Sequence, residues 1–351
     1  MSKMEGKSEA YKAAGVDIDL ATQLLKNVKG KISATRTPQV LAPIGGFGGL
    51  YRIDLTQWKH PVMVVSVDGV GTKLMIAAMM QKFDTVGHDI VNHCINDIAV
   101  QGATPVYFMD YIGIGKMRSP LYEDVLSGCA DACKAEGVCL IGGESAEMPG
   151  MYGNDFDLVG CITGIVEEDQ IITGQNIKPG HVALAIGSNG LQTNGFSLAR
   201  KVLFDKAGYT VDSRPAELNG KSIGEALIEP HQCFWKAVKA ALDAKFPLDG
   251  IAHITGGGLY DNVPRILPEG VGVHFDVSKI QDVPPIFPLI QKAGDIDPYE
   301  MYRVFNMGAG MVWFVPADRA EEGLAIIRNA GFRGMQIGEV TEGNQKVEIT
   351  L

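Results

Sequence analysis

The stretch VVSVDGVGTKL, Val64 to Leu74, begins as a strand and ends as something else. An apolar run delivers Asp68, two glycines follow at Gly69 and Gly71, and Thr72 and Lys73 close the segment. A carboxylate at the end of a buried run costs free energy unless it is paired or meets a cation. Glycines beside it loosen the backbone so that amide groups can approach an anion. The segment therefore predicts a strand whose carboxyl end belongs to a site.

Outward from it the pattern alternates. Strands are expected at 61–68, 105–114, 138–144 and 158–166, with helices across 84–102 and 120–136 between them. The second helix is well marked: Ser119 can cap it, Pro120 fits the first helical position, Glu123 and Asp124 suit its positive end, and Gly137 stops it. A polar linker, EEDQIITGQNIKPG (167–180), ends in a Pro-Gly turn signal before the fresh strand HVALAIG. Beyond it strands are expected at 250–255, 272–277 and 310–316, and helices at 196–204, 232–243 and 318–329. This is α/β or α+β material. The expected division is a mobile segment at 1–50 with one short helix near Leu20 to Val28, a first domain at 51–168, and a second at 169–351.

The 351 residues exceed what one core usually fills, roughly 250–300 residues, which agrees with two domains. No run supplies the ~18 apolar residues of a membrane span, and MSKMEGKSEAYK is too polar for a signal peptide, so a cytoplasmic protein without a membrane partner is expected. A formal charge of -10 repels a phosphate backbone, which disfavours nucleic acid. The six cysteines read as reduced core residues, with Cys129 and Cys133 one helical turn apart.

Three strand-like runs finish on or beside an acid: Asp68, Asp110 and Glu144. A fourth acid, Asp97, interrupts the apolar face of the first helix. Each alone is explained by a strand end or a helix cap; together they suggest a metal site. Hard oxygen donors select magnesium over zinc, and magnesium usually shares its shell with substrate phosphates, which implies a nucleotide. Glycines recur at 45–49 (with Gly46 and Gly48), 68–73, 141–144 (with Gly142 and Gly143) and 255–258, none forming a Walker loop or a Rossmann fingerprint. Lys73 and Asn96 join the candidates. His88 and His93, five apart on a helix, share no face and read as surface or locally bonded side chains.

Seven segments together resemble the phosphoribosylformylglycinamidine cyclo-ligase (aminoimidazole ribonucleotide synthetase) family: YKAAGVDID (11–19), DGVGTKL (68–74), NDIAVQGATPVYFMDY (96–111), GGESAEMPGMY (142–152), TNGFSLARK (193–201), HITGGGLYDNVPRILP (253–268) and EMYRVFNMGAGM (300–311). The resemblance implies an α+β N-terminal domain whose mixed sheet forms a barrel with a second copy, and an α/β C-terminal domain. It implies ATP-dependent closure of formylglycinamidine ribonucleotide to aminoimidazole ribonucleotide through an iminophosphate, in purine biosynthesis. Carried over, Asp68, Asp97, Glu144 and Asp110 would hold Mg2+. Lys73 would meet the ATP phosphates, with Gly69, Gly71, Thr72 and Asn96 beside it. Lys29 and the 45–49 loop would cover the site, and Gln192, Asn194, Gly195, Thr255, Gly256 and Gly257 would shape the substrate side, with Lys73, Asp97 and Asn194 as the catalytic set. Family members commonly carry histidine where Gln192 stands. Glutamine cannot take a proton near neutral pH, so here it positions substrate or another group acts. Selenophosphate synthetases share the architecture but present a reactive residue near the N-terminus, whereas the first cysteine here is Cys94.

Overall fold

The computed structural model describes residues 9–351. The N-terminal part runs α1 (Glu9–Ala13), α2 (Ile18–Ser33), β1 (Pro61–Gly69), α3 (Lys73–Met80), α4 (Asp84–Ala99), β2 (Thr104–Ile114), α5 (Leu121–Ala135), β3 (Cys139–Glu147) and β4 (Phe156–Glu167). The C-terminal part runs β5 (His181–Gly187), α6 (Phe196–Arg200), α7 (Ile223–Leu227), α8 (Trp235–Asp243), β6 (Gly250–His253), α9 (Gly258–Asn262), β7 (Val271–Asp276), α10 (Ile286–Gly294), α11 (Pro298–Val304), β8 (Ala309–Pro316), α12 (Ala320–Asn329), β9 (Gly334–Glu342) and β10 (Val347–Thr350). Each part builds one mixed sheet.

The first sheet has the order β1-β4-β2-β3, antiparallel except for the parallel pair β2–β3. One face packs on α4 and α5. Helix α4 is buried on nearly every side, because it lies between this sheet, α5 and the C-terminal domain. Its enclosed faces carry apolar Val86, Ile90 and Ile95 and also the polar Asp89, His93 and Asn96, which need partners there.

The opposite face of the sheet is apolar too. On β1, Met63, Val65 and Val67 are 50%, 60% and 63% exposed, alternating with Val62, Val64 and Ser66 turned inward. In register beside them stand Ile165, Thr163 and Cys161 on β4, then Tyr107 and Met109 on β2. A bridge between Val40 and Tyr51 lays the N-terminal segment over the β3 end of this face, where Tyr51 meets Tyr107 at 5.3 Å between ring centroids. The β1 end stays open.

The second sheet has the order β10-β7-β9-β5-β8-β6. Every residue of β5 is buried, as a central strand covered on both faces requires. Strands β9 and β10 and helices α3, α7, α9, α10 and α11 lie outside the sequence expectations. The helix expected at 196–204 is α-helical only to Arg200 and continues as a π-helical turn over Lys201–Lys206. Helix α2 is longer than expected, because Leu24, Val28 and Ile32 repeat on the face that packs against α5.

Candidate active site

The opening segment turns sharply after β1. Gly71 adopts φ 69°, open to glycine at little cost, and Thr72 and Lys73 then start α3. Lys73 does not reach toward a phosphate. Its side chain is 0% exposed, and Nζ donates to Asp89 Oδ1 at 2.8 Å and to the carbonyls of Gln192 and Glu229 at 2.9 and 2.7 Å. All three ammonium protons are thereby used, one within the N-terminal part and two across the domain interface, and the expected contact with ATP is corrected on that ground. Burial pulls the Lys73 ammonium down and pushes the Asp89 carboxyl up, each opposed by the other's charge.

Asn96 is corrected in the same way. It is fully buried, donates to the Gln232 carbonyl at 2.9 Å and accepts from the Phe234 amide at 2.8 Å, so it joins α4 to the C-terminal domain. Thr72 stays exposed, its hydroxyl 3.2 Å from that of Ser197. Gly69 donates its amide to the Asp68 carboxylate at 2.6 Å.

The four acids do not converge within one chain. Asp68, Gly160, Asp110 and Gly143 occupy one row across β1, β4, β2 and β3. With strands ~4.8 Å apart, the Cα atoms of Asp68 and Asp110 are about 10 Å apart, and β3 lies about 5 Å further. One magnesium ion reaches its ligands at ~2.1 Å, so it cannot touch both pairs. Asp68 and Asp97 line an interdomain cavity of about 470 Å³ with His253, Thr255 and Arg265. Asp110 and Glu144 line a second cavity, of about 870 Å³, at the other edge of the sheet.

The second cavity gathers five of the remaining candidates. Lys29 from α2, Gly46 and Gly48 from the glycine loop, and Gly142 and Gly143 from β3 all face it. Gly143 has a packing reason as well: a Cβ there would sit 2.4 Å from Asp110 Oδ1. Burial, opposed by a backbone hydrogen bond and reinforced by the charge of Glu144, raises the Asp110 carboxyl to about 7.

In the interdomain cavity an unexpected line of side chains appears. His93 Nε2 stands 2.9 Å from Asp68 Oδ2, and His93 Nδ1 stands 2.7 Å from Thr193 Oγ1. The same hydroxyl is 3.2 Å from His231 Nδ1, His231 Nε2 is 3.1 Å from His253 Nε2, and His253 Nδ1 is 2.8 Å from Asp97 Oδ1. Five hydrogen bonds thus join two carboxylates through three imidazoles and one hydroxyl. Three neutral imidazoles and a hydroxyl supply four protons, so satisfying all five requires one imidazolium. Burial lowers His93, but the bond to Asp68 and the charges of Asp97 and Asp68 outweigh it and hold His93 above its usual value. Burial dominates at His253 and His231 and keeps both low. Of the three rings, His93 is therefore the one whose surroundings favour the extra proton.

Reading His93 as surface or locally bonded fails because α4 is enclosed and its partners Thr193, His231 and His253 come from the other domain. No spacing in the sequence could reveal that. His253 lay inside a quoted motif without being singled out, and His231 gave no signal. His88 is half-buried and stands apart from this line.

Of the substrate-side candidates, one reaches the same cavity. Thr255 lines it, and Asn194 Oδ1 would sit 3.3 Å from a Cβ added at Gly256. Gly195 (φ 78°) and Gly257 (φ 93°) take backbone conformations that favour glycine, and a Cβ at Gly195 would strike the Phe305 ring. Gln192 is only 1% exposed and packs inward near Gly310, with both amide atoms unpartnered.

Residues 51–166 match the model of the AIR synthase related protein N-terminal domain, and residues 178–350 match that of its C-terminal domain. A phosphoribosylformylglycinamidine cyclo-ligase of Bifidobacterium animalis is 44% identical over 343 residues, covering 97% of this chain and 99% of that protein. Another, of Shouchella clausii, is 46% identical over 335 residues, covering 95% and 96%. Among solved structures, the hydrogenase maturation protein HypE in complex with ATP superposes with a TM-score of 0.65 at 17% identity, covering 94% of this chain and 90% of that one. Thiamine-monophosphate kinase from Stenotrophomonas maltophilia gives 0.65 at 15% identity, covering 92% and 95%. At such identities the structures speak for the fold alone.

Proposed function

The chain belongs to the AIR synthase related family, among the phosphoribosylformylglycinamidine cyclo-ligases, and from that premise we propose how its residues divide the work. The reaction is the ATP-dependent cyclisation of formylglycinamidine ribonucleotide to 5-aminoimidazole ribonucleotide in purine biosynthesis. The observation that carries this is identity above 40% running nearly end to end in both chains.

Closing the imidazole means expelling the formyl oxygen, which is a poor leaving group as oxide or hydroxide. The formyl oxygen attacks the γ-phosphorus of ATP and ADP departs. The amidine-side nitrogen then attacks the activated carbon, loses a proton, and inorganic phosphate leaves with the oxygen. Protein groups contribute orientation and charge stabilisation. We assign the nucleotide to the larger cavity, whose size and glycine-lined mouth suit it, with Lys29 as its cation. The ribonucleotide lies in the interdomain cavity, whose wall carries Thr255 and His253, with Asn194 and Gly256 adjoining Thr255.

Asp110 and Glu144 offer oxygen donors alone and fit magnesium; bound there, Mg2+ neutralises phosphate charge. Asp68 and Asp97 fit it less simply, because imidazoles already occupy their inner oxygens. The division of the acids between the two edges of one open sheet supports a homodimer. Two copies closing their sheets into a barrel would bury Met63, Val65 and Val67 and set the β1 edge of one against the β3 edge of the other. Asp68 and Asp97 would then face Glu144 of the partner subunit. A cytoplasmic location accords with the six free cysteines. The test is incubation with ATP and formylglycinamidine ribonucleotide, followed by assay for the diazotisable aminoimidazole. ATP binding without that product would overturn the assignment.

A further inference from the structure

The histidines that touch Asp97 do more than the cyclisation requires. His93 Nε2 lies 3.5 Å from Asp97 Oδ2, His253 Nδ1 lies 2.8 Å from Asp97 Oδ1, and the three ligand atoms fall within 4.8 Å of one another. Asp68 Oδ2, 2.9 Å from the same His93 nitrogen, stands beside this group without belonging to it. The rear of the cluster is built as a metal centre's support is built. The second ring nitrogen of His93 is held by Thr193, that of His253 by His231, and His231 returns to the same Thr193 hydroxyl, so both rings are fixed in orientation. Ser66 donates its hydroxyl to Asp97 Oδ2 at 3.2 Å.

A magnesium site has no use for two imidazoles. Two imidazoles with a carboxylate suit borderline first-row cations, and three protein donors with the fourth position left to water suit tetrahedral zinc. Both histidines are buried, while Asp68 is 41% exposed on the wall of the interdomain cavity, which gives an ion a way in. We propose that His93, Asp97 and His253 form a binding site for a borderline divalent cation of the Zn2+ class. An ion there occupies the carboxylate that the cyclisation needs, so zinc acts against turnover. The binding claim rests on this geometry and not on the assigned reaction.

The test is equilibrium dialysis of the purified full chain against Zn2+, with metal counted per chain and magnesium in millimolar excess. One zinc per chain is expected, undisplaced by magnesium. His93→Gln/His253→Gln should weaken binding by more than ~100-fold, and Thr193→Val, which leaves every ligand in place, by about 10-fold. Thermal melting of each variant without metal controls for folding. Failure of the unaltered chain to bind zinc, or equal binding by the double variant, would overturn the site. An unaltered chain that binds zinc but shows no cyclisation when freed of it would instead count against the assigned reaction alone.

Discussion

Lys73 Nζ lies 2.8 Å from Asp89 Oδ1, and neither side chain has any solvent exposure. The pair sits where α3 and α4 meet the C-terminal domain, and Asp89 also accepts the backbone amide of His231 at 2.6 Å. Removing one partner leaves a buried charge uncompensated. Lys73→Met should therefore destabilise the fold by about 3–5 kcal/mol, and Lys73→Met/Asp89→Asn should recover much of that loss, because Asn can still accept from His231. Urea denaturation of both variants checks this. If the double variant folds but binds ATP much more weakly, Lys73 meets phosphate after all.

The two halves of the acid set give a sharper expectation. In a barrel dimer each site would take Asp97 from one chain and Glu144 from the other. Asp97→Asn and Glu144→Gln should each fold and lose at least ~100-fold in turnover. Mixed and allowed to exchange subunits, they should regain about a quarter of the activity, since half the dimers are mixed and each carries one intact site. No recovery after verified exchange would mean that each site is complete within one chain.

The strand that opens this protein's reading was legible because period-2 burial and a terminal acid are local properties. So was α5, whose apolar face repeats along one helix. What escaped was set by tertiary contact. Lys73 looks like a phosphate ligand until Gln192 and Glu229 offer it their carbonyls, and His93 looks unremarkable until Thr193 arrives from another domain. Sequence identified Asp68 and Asp97 as candidates but could not say that strand order holds them apart from Glu144.

The open face of the first sheet leads to a measurement of mass. Val65→Lys/Val67→Lys puts two charges where side chains point away from the chain's own core, so the monomer should still fold. Sedimentation should then give a monomer for the variant and a dimer for the unaltered protein, with activity lost alongside. A dimeric double variant would show that association uses another surface.

Asp110 should make stability depend on pH. Its folded-state value of about 7 lies above the ordinary carboxylate value of 3.8, so between them the folded chain binds a proton that the unfolded chain does not. Stability then falls as pH rises through that window, by up to about 1.4 kcal/mol for each pH unit crossed, and levels off above 7. Asp110→Asn should flatten this slope and gain most over the unaltered chain near pH 8. Melting temperatures across the window, taken with chelator present, decide it; parallel profiles would rule out a proton on Asp110.

Gln192 offers the last test, because its side chain and its backbone do different work. The carbonyl accepts from Lys73, while the buried amide leaves both Oε1 and Nε2 without partners at a φ of 62°. Each unpaired buried polar atom costs roughly 1–3 kcal/mol, so Gln192→Met, close in volume and free of polar atoms, should raise stability by about 1 kcal/mol or more. The backbone bond to Lys73 survives the change. Turnover should fall no more than about threefold, which corresponds to less than ~1 kcal/mol in the barrier. A collapse in kcat with KM unchanged would mean that the amide turns toward the interdomain cavity during the reaction and acts on the substrate there.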